Sequence, residues 1–119
     1  MAMSEFERKL ADIIWEKEPI SSGDLVKECE ARLQWKKSTT YTMLKRICGQ
    51  NLFQNENACV TSLVSRDEYL QNQGEQFLNE NFGGSMPGFL AAFMDQRKLS
   101  RKQVDEIKDM IARYEEEAE

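Results

Sequence analysis

Four times along this chain a serine stands three residues ahead of an acid or a glutamine: Ser4 with Glu7, Ser21 with Asp24, Ser65 with Glu68 and Ser100 with Gln103. A serine so placed accepts a hydrogen bond from the N–H three residues on, while the acid or amide reaches back to the serine's own N–H. The spacing therefore predicts a helix start at each. The first run covers residues 5–17 with Phe6, Leu10, Ile13 and Ile14 on one stripe, and Pro19, which cannot continue a helix, ends it. The second, over 22–33, turns Leu25, Val26, Cys29 and Leu33 inward. Ser38 is expected to cap a third helix of about ten residues with Thr40, Met43, Leu44 and Ile47 on its apolar line.

After Gly49 the pattern changes. Leu52-Phe53-Gln54 and residues 58–64 read as two short strands around the turn-forming Asn55-Glu56-Asn57. Three helices followed by a hairpin is the order of a winged helix-turn-helix, whose third helix enters the major groove while the hairpin, the wing, reaches the adjoining backbone. A fourth helix over 66–81 presents Tyr69, Leu70, Phe77 and Leu78, and Phe82 follows it. Gly83, Gly84, Pro87 and Gly88 mark a boundary, with helical segments at 89–95 and 100–117 beyond it. The expected fold is mainly α: an N-terminal winged helix-turn-helix of three helices plus a β-hairpin wing, with a C-terminal helical dimerisation tail. The boundaries are residues 1–70 for a DNA-binding domain and 71–119 for a dimerisation region.

The length of 119 residues suits one domain, or a small domain plus an appendage. No apolar run approaches the roughly 18 residues of a membrane span, and the polar start has no signal-peptide core, so a cytoplasmic protein is expected. The three cysteines, Cys29, Cys48 and Cys59, show no CxxC spacing and there is no histidine. Reduced thiols, no metal and no cofactor follow, with all three cysteines read as small buried hydrophobes and Cys48, next to the basic helix end, as the one thiol worth alkylating. No catalytic residue is nominated: a serine or cysteine nucleophile would lack its usual base, and no glycine-rich phosphate motif is complete, so an enzyme is not expected.

The formal net charge is -5, yet from Ala31 to Asn55 there are five basic residues, Arg32, Lys36, Lys37, Lys45 and Arg46, and no acid. Inside that window lies Trp35-Lys36-Lys37-Ser38-Thr39-Thr40-Tyr41-Thr42-Met43-Leu44-Lys45-Arg46-Ile47, which mixes cations with small hydroxyls on one expected helix. Cations neutralise phosphates and hydroxyls meet phosphates or base edges, so this composition suits a DNA-reading helix. An acidic protein does not coat nucleic acid unspecifically, which confines any DNA contact to one face. Tyr41 has two readings, packed against Trp35 as core or turned outward. The hairpin from Phe53 to Val64 has no Lys or Arg, leaving the wing a weak phosphate holder.

The tail carries Phe89, Leu90, Phe93, Met94, Leu99, Val104, Ile107, Met110, Ile111 and Tyr114. Two short helices cannot hide so much apolar surface against each other. The simplest closure is a two-fold dimer, with Phe89, Leu90, Phe93, Val104, Ile107, Met110, Ile111 and Tyr114 at its interface.

Ile14-Trp15, Pro19-Ile20-Ser21, Trp35-Lys36, Thr39-Thr40-Tyr41-Thr42-Met43-Leu44-Lys45-Arg46, Val64-Ser65-Arg66-Asp67-Glu68-Tyr69 and Gly84-Ser85 occur in one row. With them the chain resembles the penicillinase-repressor family, which includes the β-lactamase, methicillin-resistance and copper-responsive repressors. The stretch 39–46 looks like the family's recognition-helix pattern T-x-x-T-L-L-x-R, and the tail from Leu99 looks like its dimerisation helix. The resemblance implies a homodimeric winged-helix repressor on an inverted repeat in a promoter, with antibiotic-resistance control among the family's roles. It also implies contacts to double-stranded DNA through Thr39, Thr42 and Arg46. Lys37, Ser38, Tyr41 and Lys45 join them on charge and helical face. Thr39, Tyr41 and Thr42 are assigned to bases, and Lys37, Ser38, Lys45 and Arg46 to phosphates.

Two departures bear on the signal. Antibiotic-responsive members are cut at an Asn-Phe bond through a membrane sensor protease pathway, whereas the matching pair in this chain is Ala92-Phe93. Copper-responsive members end in a cysteine cluster, and this chain has no cysteine after Cys59. The rival reading is a winged-helix protein-interaction module without DNA binding, which would have no need of an acid-free third helix. A phosphate-handling enzyme would need a lysine in Gly83-Gly84-Ser85-Met86-Pro87-Gly88, and that stretch reads as a hinge.

Overall fold

The computed structural model describes residues 2–118. The order of elements is α1 (Glu5–Lys17), β1 (Ile20–Ser21), α2 (Ser22–Leu33), α3 (Lys37–Gly49), β2 (Phe53–Glu56), β3 (Cys59–Ser62), α4 (Arg66–Phe82), α5 (Met86–Asp95) and α6 (Arg101–Ala118). The mainly helical winged helix-turn-helix is thus present, three helices followed by a small antiparallel sheet. The chain divides into two compact units, Met1–Gln73 and Gly74–Glu119.

All four serines cap as their spacing requires. Ser4, Ser21, Ser65 and Ser100 accept from the N–H groups of Glu7, Asp24, Glu68 and Gln103 at 3.2, 3.0, 3.1 and 3.1 Å. The reciprocal arm forms at Ser100, whose N–H donates to Gln103 Oε1 at 3.0 Å. Glu7 instead turns its carboxylate to Gln50, at the end of α3.

The core of the first unit is built from Leu10, Ala11, Ile13 and Ile14 of α1, Leu25 and Cys29 of α2, Leu44 and Ile47 of α3, Phe53 and Val60 of the hairpin, and Tyr69 of α4. Each large aliphatic or aromatic side chain so buried contributes roughly 1.5–3 kcal/mol. Trp15 packs with its ring tilted against Phe53 at 5.2 Å and Tyr69 at 5.8 Å and donates its indole N–H to the Val64 carbonyl at 3.0 Å. The Tyr69 hydroxyl accepts from the Met3 N–H at 3.0 Å, fastening the chain's start over the same cluster.

Four sequence expectations are corrected. Phe6 is 54% exposed, because the inward line of this first turn runs through Met3 and Glu7, and its ring lies 6.2 Å from Trp35 instead. Ser38 does not cap α3: the helix starts at Lys37 and runs 13 residues, with Lys36 at the capping position and no side-chain cap. The cause is upstream, where Gln34 ends α2 in the left-handed conformation and leaves little chain before α3 must begin. The hairpin turns on Asn57-Ala58 instead of Asn55-Glu56-Asn57. Glu56 pairs with Cys59, and the two residues between them both have positive φ, 52° and 61°, the pattern of a type I′ turn that matches the twist of its strands. Finally, α5 begins at Met86, three residues early, because Ser85 accepts from the Gly88 N–H at 2.9 Å and Pro87 sits in the first turn, where a missing N–H costs nothing.

Strand β1 was not legible in the sequence. Its Ile20 and Ser21 pair with Val60 and Cys59, giving a three-stranded sheet in the order β1-β3-β2, and the Ser22 N–H donates to the Ala58 carbonyl at 2.8 Å. The wing is therefore held along β3 from both sides.

Candidate nucleic-acid interface

Helix α3 owes its two faces to the spacing of its residues. Thr40, Leu44 and Ile47 recur at intervals of four and three and are buried against the core. Lys37 and Ser38 ahead of them and Tyr41, Thr42, Lys45 and Arg46 between them are exposed. Thr39, assigned to the outer face from sequence, is half-buried at its edge. All seven nominated residues thus belong to one helix, six of them on its open side.

The hydroxyls on this helix differ in what they hold. Thr42 Oγ1 donates to the Ser38 carbonyl at 2.9 Å and Thr40 Oγ1 to the Lys36 carbonyl at 3.4 Å, each bonding back by one turn. The Tyr41 hydroxyl donates to Ser22 Oγ at 3.4 Å, and the Lys37 ammonium lies 6.0 Å from the centre of its ring. Tyr41 therefore leans toward the start of α2, while Trp35 is met by Phe6, so neither sequence reading of Tyr41 describes it fully.

Charge on this face is uncompensated. Arg32 is drawn off into ion pairs with Glu16 at 3.0 Å and Glu28 at 3.8 Å. Among the described residues no carboxylate pairs with Lys36, Lys37, Lys45 or Arg46. Helix α3 also has no acid in its first turn and no side chain over its first N–H groups, which adds partial positive charge beside Lys36 and Lys37. An exposed cationic face of this kind attracts polyanions.

Two residues escaped the sequence nomination. Lys36 holds the capping position of α3 and is exposed, and the basic window was its signal. Asn55 of β2 lines a shallow groove with Tyr41, Leu44, Lys45 and Cys48, bringing a polar wing side chain to the helix; nothing in its spacing announced this. The wing tip Glu56 to Cys59 is exposed and includes no cation.

The cysteines divide three ways, correcting the expectation that all are buried. Cys29 is buried, Cys48 half-buried and Cys59 exposed on the wing. Burial pushes the Cys29 thiol up against opposing effects of the Thr40 hydrogen bond and Arg32, and burial alone pushes up that of Cys48. The neighbouring cations therefore do not activate Cys48, and Cys59 is the accessible thiol. Among the described residues no group of acids and cysteines is placed to hold a metal ion, and no helix is long and apolar enough to cross a membrane.

Within the second unit no described residue is buried. Phe89 stands at the centre of an aromatic cluster, 6.1 Å from Phe77, 5.5 Å from Phe82 and 5.0 Å from Phe93, with each ring edge-on to it. Leu90, Val104 and Ile107 are half-buried, and Phe93, Met110, Ile111 and Tyr114 are exposed. The Ala92-Phe93 pair lies inside α5.

Comparison with known proteins gives the same family that the residues suggested. The penicillinase repressor family matches residues 3–113. A penicillinase repressor of Staphylococcus aureus is 24% identical over 115 residues, covering 93% of this chain and 90% of its own length. A penicillinase repressor of Bacillus licheniformis is 20% identical, covering 94% of this chain and 91% of its own length. The methicillin resistance regulatory protein MecI of Mammaliicoccus sciuri is 20% identical and covers 92% of each. With nearly its whole length matched, this chain belongs to the penicillinase repressor family.

Proposed function

We propose that the chain is a homodimeric, sequence-specific DNA-binding repressor that acts on an inverted-repeat site in a promoter. The observation that carries this reading is the open face of α3, where Lys37, Lys45 and Arg46 have no acidic partner among the described residues of a protein of net charge -5. In the reading, residues 1–70 bind DNA and 71–119 dimerise. Lys37, Ser38, Lys45 and Arg46 hold phosphates, and Thr39, Tyr41 and Thr42 face base edges.

The names of the relatives, penicillinase repressor and methicillin resistance regulatory protein, support a role in gene repression, and we assign this chain to promoters of antibiotic-resistance genes on that ground. The apolar faces of α5 and α6, with Phe93, Met110, Ile111 and Tyr114 exposed, support self-association. A two-fold dimer would offer two copies of α3 to half-sites about one helical turn, or a multiple of it, apart. The wing has no cation, so affinity rests on α3 and on the avidity of two linked heads.

Footprinting of the DNA upstream of the chain's own reading frame tests this. Two protected half-sites related by a dyad are expected, on one face of the duplex. Protection of a lone half-site contradicts the dimer, and an unprotected duplex contradicts DNA binding.

A further inference from the structure

The hydroxyl of Thr42 is already engaged inside α3, where Oγ1 donates to the Ser38 carbonyl at 2.9 Å. In a helix the preceding turn excludes a γ-carbon from the one staggered position on the β-carbon that points into it, whereas a hydroxyl bonded to a carbonyl of that turn tolerates the place. With the hydroxyl bonded back along the helix, the γ-methyl takes a position directed away from the preceding turn. Thr42 is exposed, on the same face as Lys45 and Arg46, so what it offers beyond the helix surface is chiefly that methyl. Of the groups displayed in the major groove, the C5-methyl of thymine is the apolar one.

We propose that Thr42 is a specificity-determining residue that recognises thymine by methyl-to-methyl contact and not by a hydrogen bond from its hydroxyl. The proposal rests on the DNA-binding reading of α3 and goes further, because it names the base and the chemical group read. The back-bonded hydroxyl then serves the helix itself, fixing which γ group faces outward.

The test starts from duplexes that the wild-type chain enriches from a random-sequence pool. An enriched duplex is remade with each thymine in turn replaced by deoxyuridine, which removes the C5-methyl and nothing else. At one thymine of each half-site the wild type is expected to lose about fourfold in affinity, the factor for one methylene-sized apolar group. Thr42→Val puts methyls in both positions directed away from the preceding turn and is expected to show the same preference for thymine over uracil there. Thr42→Ser keeps the hydroxyl, drops the methyl and is expected to lose that preference. Circular dichroism of both variants verifies that α3 is intact.

A wild type indifferent to every uracil replacement overturns the proposal, as does a Thr42→Ser variant that keeps the full preference or a Thr42→Val variant that loses it. In each of those cases enrichment and duplex binding remain, so the DNA-binding reading survives. A pool that enriches no sequence overturns that reading, and the proposal with it.

Discussion

The carboxylate of Glu7, in the first turn of α1, accepts a hydrogen bond at 2.8 Å from the amide of Gln50 at the end of α3. Glu7 is buried, and the other atom of the Gln50 amide, Oε1, is buried with no partner among the described residues. The far end of α3 is thus fastened to α1 by one hydrogen bond to a charged group. Gln50→Ala removes the donor and is expected to destabilise the fold by about 1–3 kcal/mol, the usual cost of leaving a buried acceptor without its partner. Urea unfolding reads this as a lower midpoint with an unchanged slope. An unchanged midpoint would show that Glu7 finds water as readily as it finds Gln50.

The wing turn places a non-glycine residue where glycine is at ease. Ala58 follows Asn57 with φ of 61°, a conformation disfavoured by its β-carbon. Ala58→Gly creates Asn-Gly, the pair best suited to a type I′ turn, and should stabilise by about 1 kcal/mol, raising the thermal midpoint by roughly 4 °C or more. A lower midpoint would mean that the entropy glycine adds to the unfolded chain outweighs the strain relieved in the turn.

Much of this architecture was written in local spacing. The pairs of a serine with an acid or glutamine three residues on located α1, α2, α4 and α6, since capping is decided within four residues; the apolar line of α3 packs, and that of α2 packs through Leu25, Cys29 and Leu33, with Val26 half-buried outside the cluster. What escaped depended on distant chain. Strand β1 is two residues long and exists because β3 lies beside it. Phe6 shares its helix's apolar spacing, yet Met3 and Glu7 occupy the inward places of that turn. For the candidate interface, charge and helical face gathered Lys37, Ser38, Tyr41 and Lys45, and the family motif supplied Thr42 and Arg46; the structure exposes all six on α3. The groove shared by Asn55 and Lys45 needed the hairpin's position, which no periodicity encodes.

The three thiols should separate by reactivity. Cys59 is exposed, whereas burial raises the thiol pKa of both Cys48 and Cys29, so each forms less of the nucleophilic thiolate near neutral pH. Iodoacetamide labelling of the native protein, followed by peptide mass spectrometry, is expected to modify Cys59 first, Cys48 next and Cys29 last. Raising the pH should speed Cys48 and Cys29 only above the ordinary thiol range. The sign for stability agrees: a pKa raised in the fold contributes stability that is complete below the unfolded thiol's pKa and is lost as pH rises through the higher folded value. Labelling of Cys48 ahead of Cys59 would contradict this order.

Ile107 is half-buried on α6, in helical register with the exposed Met110, Ile111 and Tyr114. A charge there would be buried in the proposed dimer and harmless on a free helix surface. Ile107→Asp is therefore expected to sediment as a monomer and to lose the avidity of paired heads, lowering operator affinity by about a hundredfold or more. A variant that still sediments as a dimer would place the interface elsewhere.

The decisive measurement is a fluorescence-anisotropy titration of the chain onto its own upstream promoter duplex and onto a scrambled duplex, at several salt concentrations, for the wild type and Arg46→Ala. The expected result is tighter binding to the promoter, weakening as salt rises, with Arg46→Ala weaker on both duplexes and its dependence on salt shallower by about one unit. No binding of the wild type to either duplex would contradict the repressor reading and leave the winged helix as a protein-interaction module.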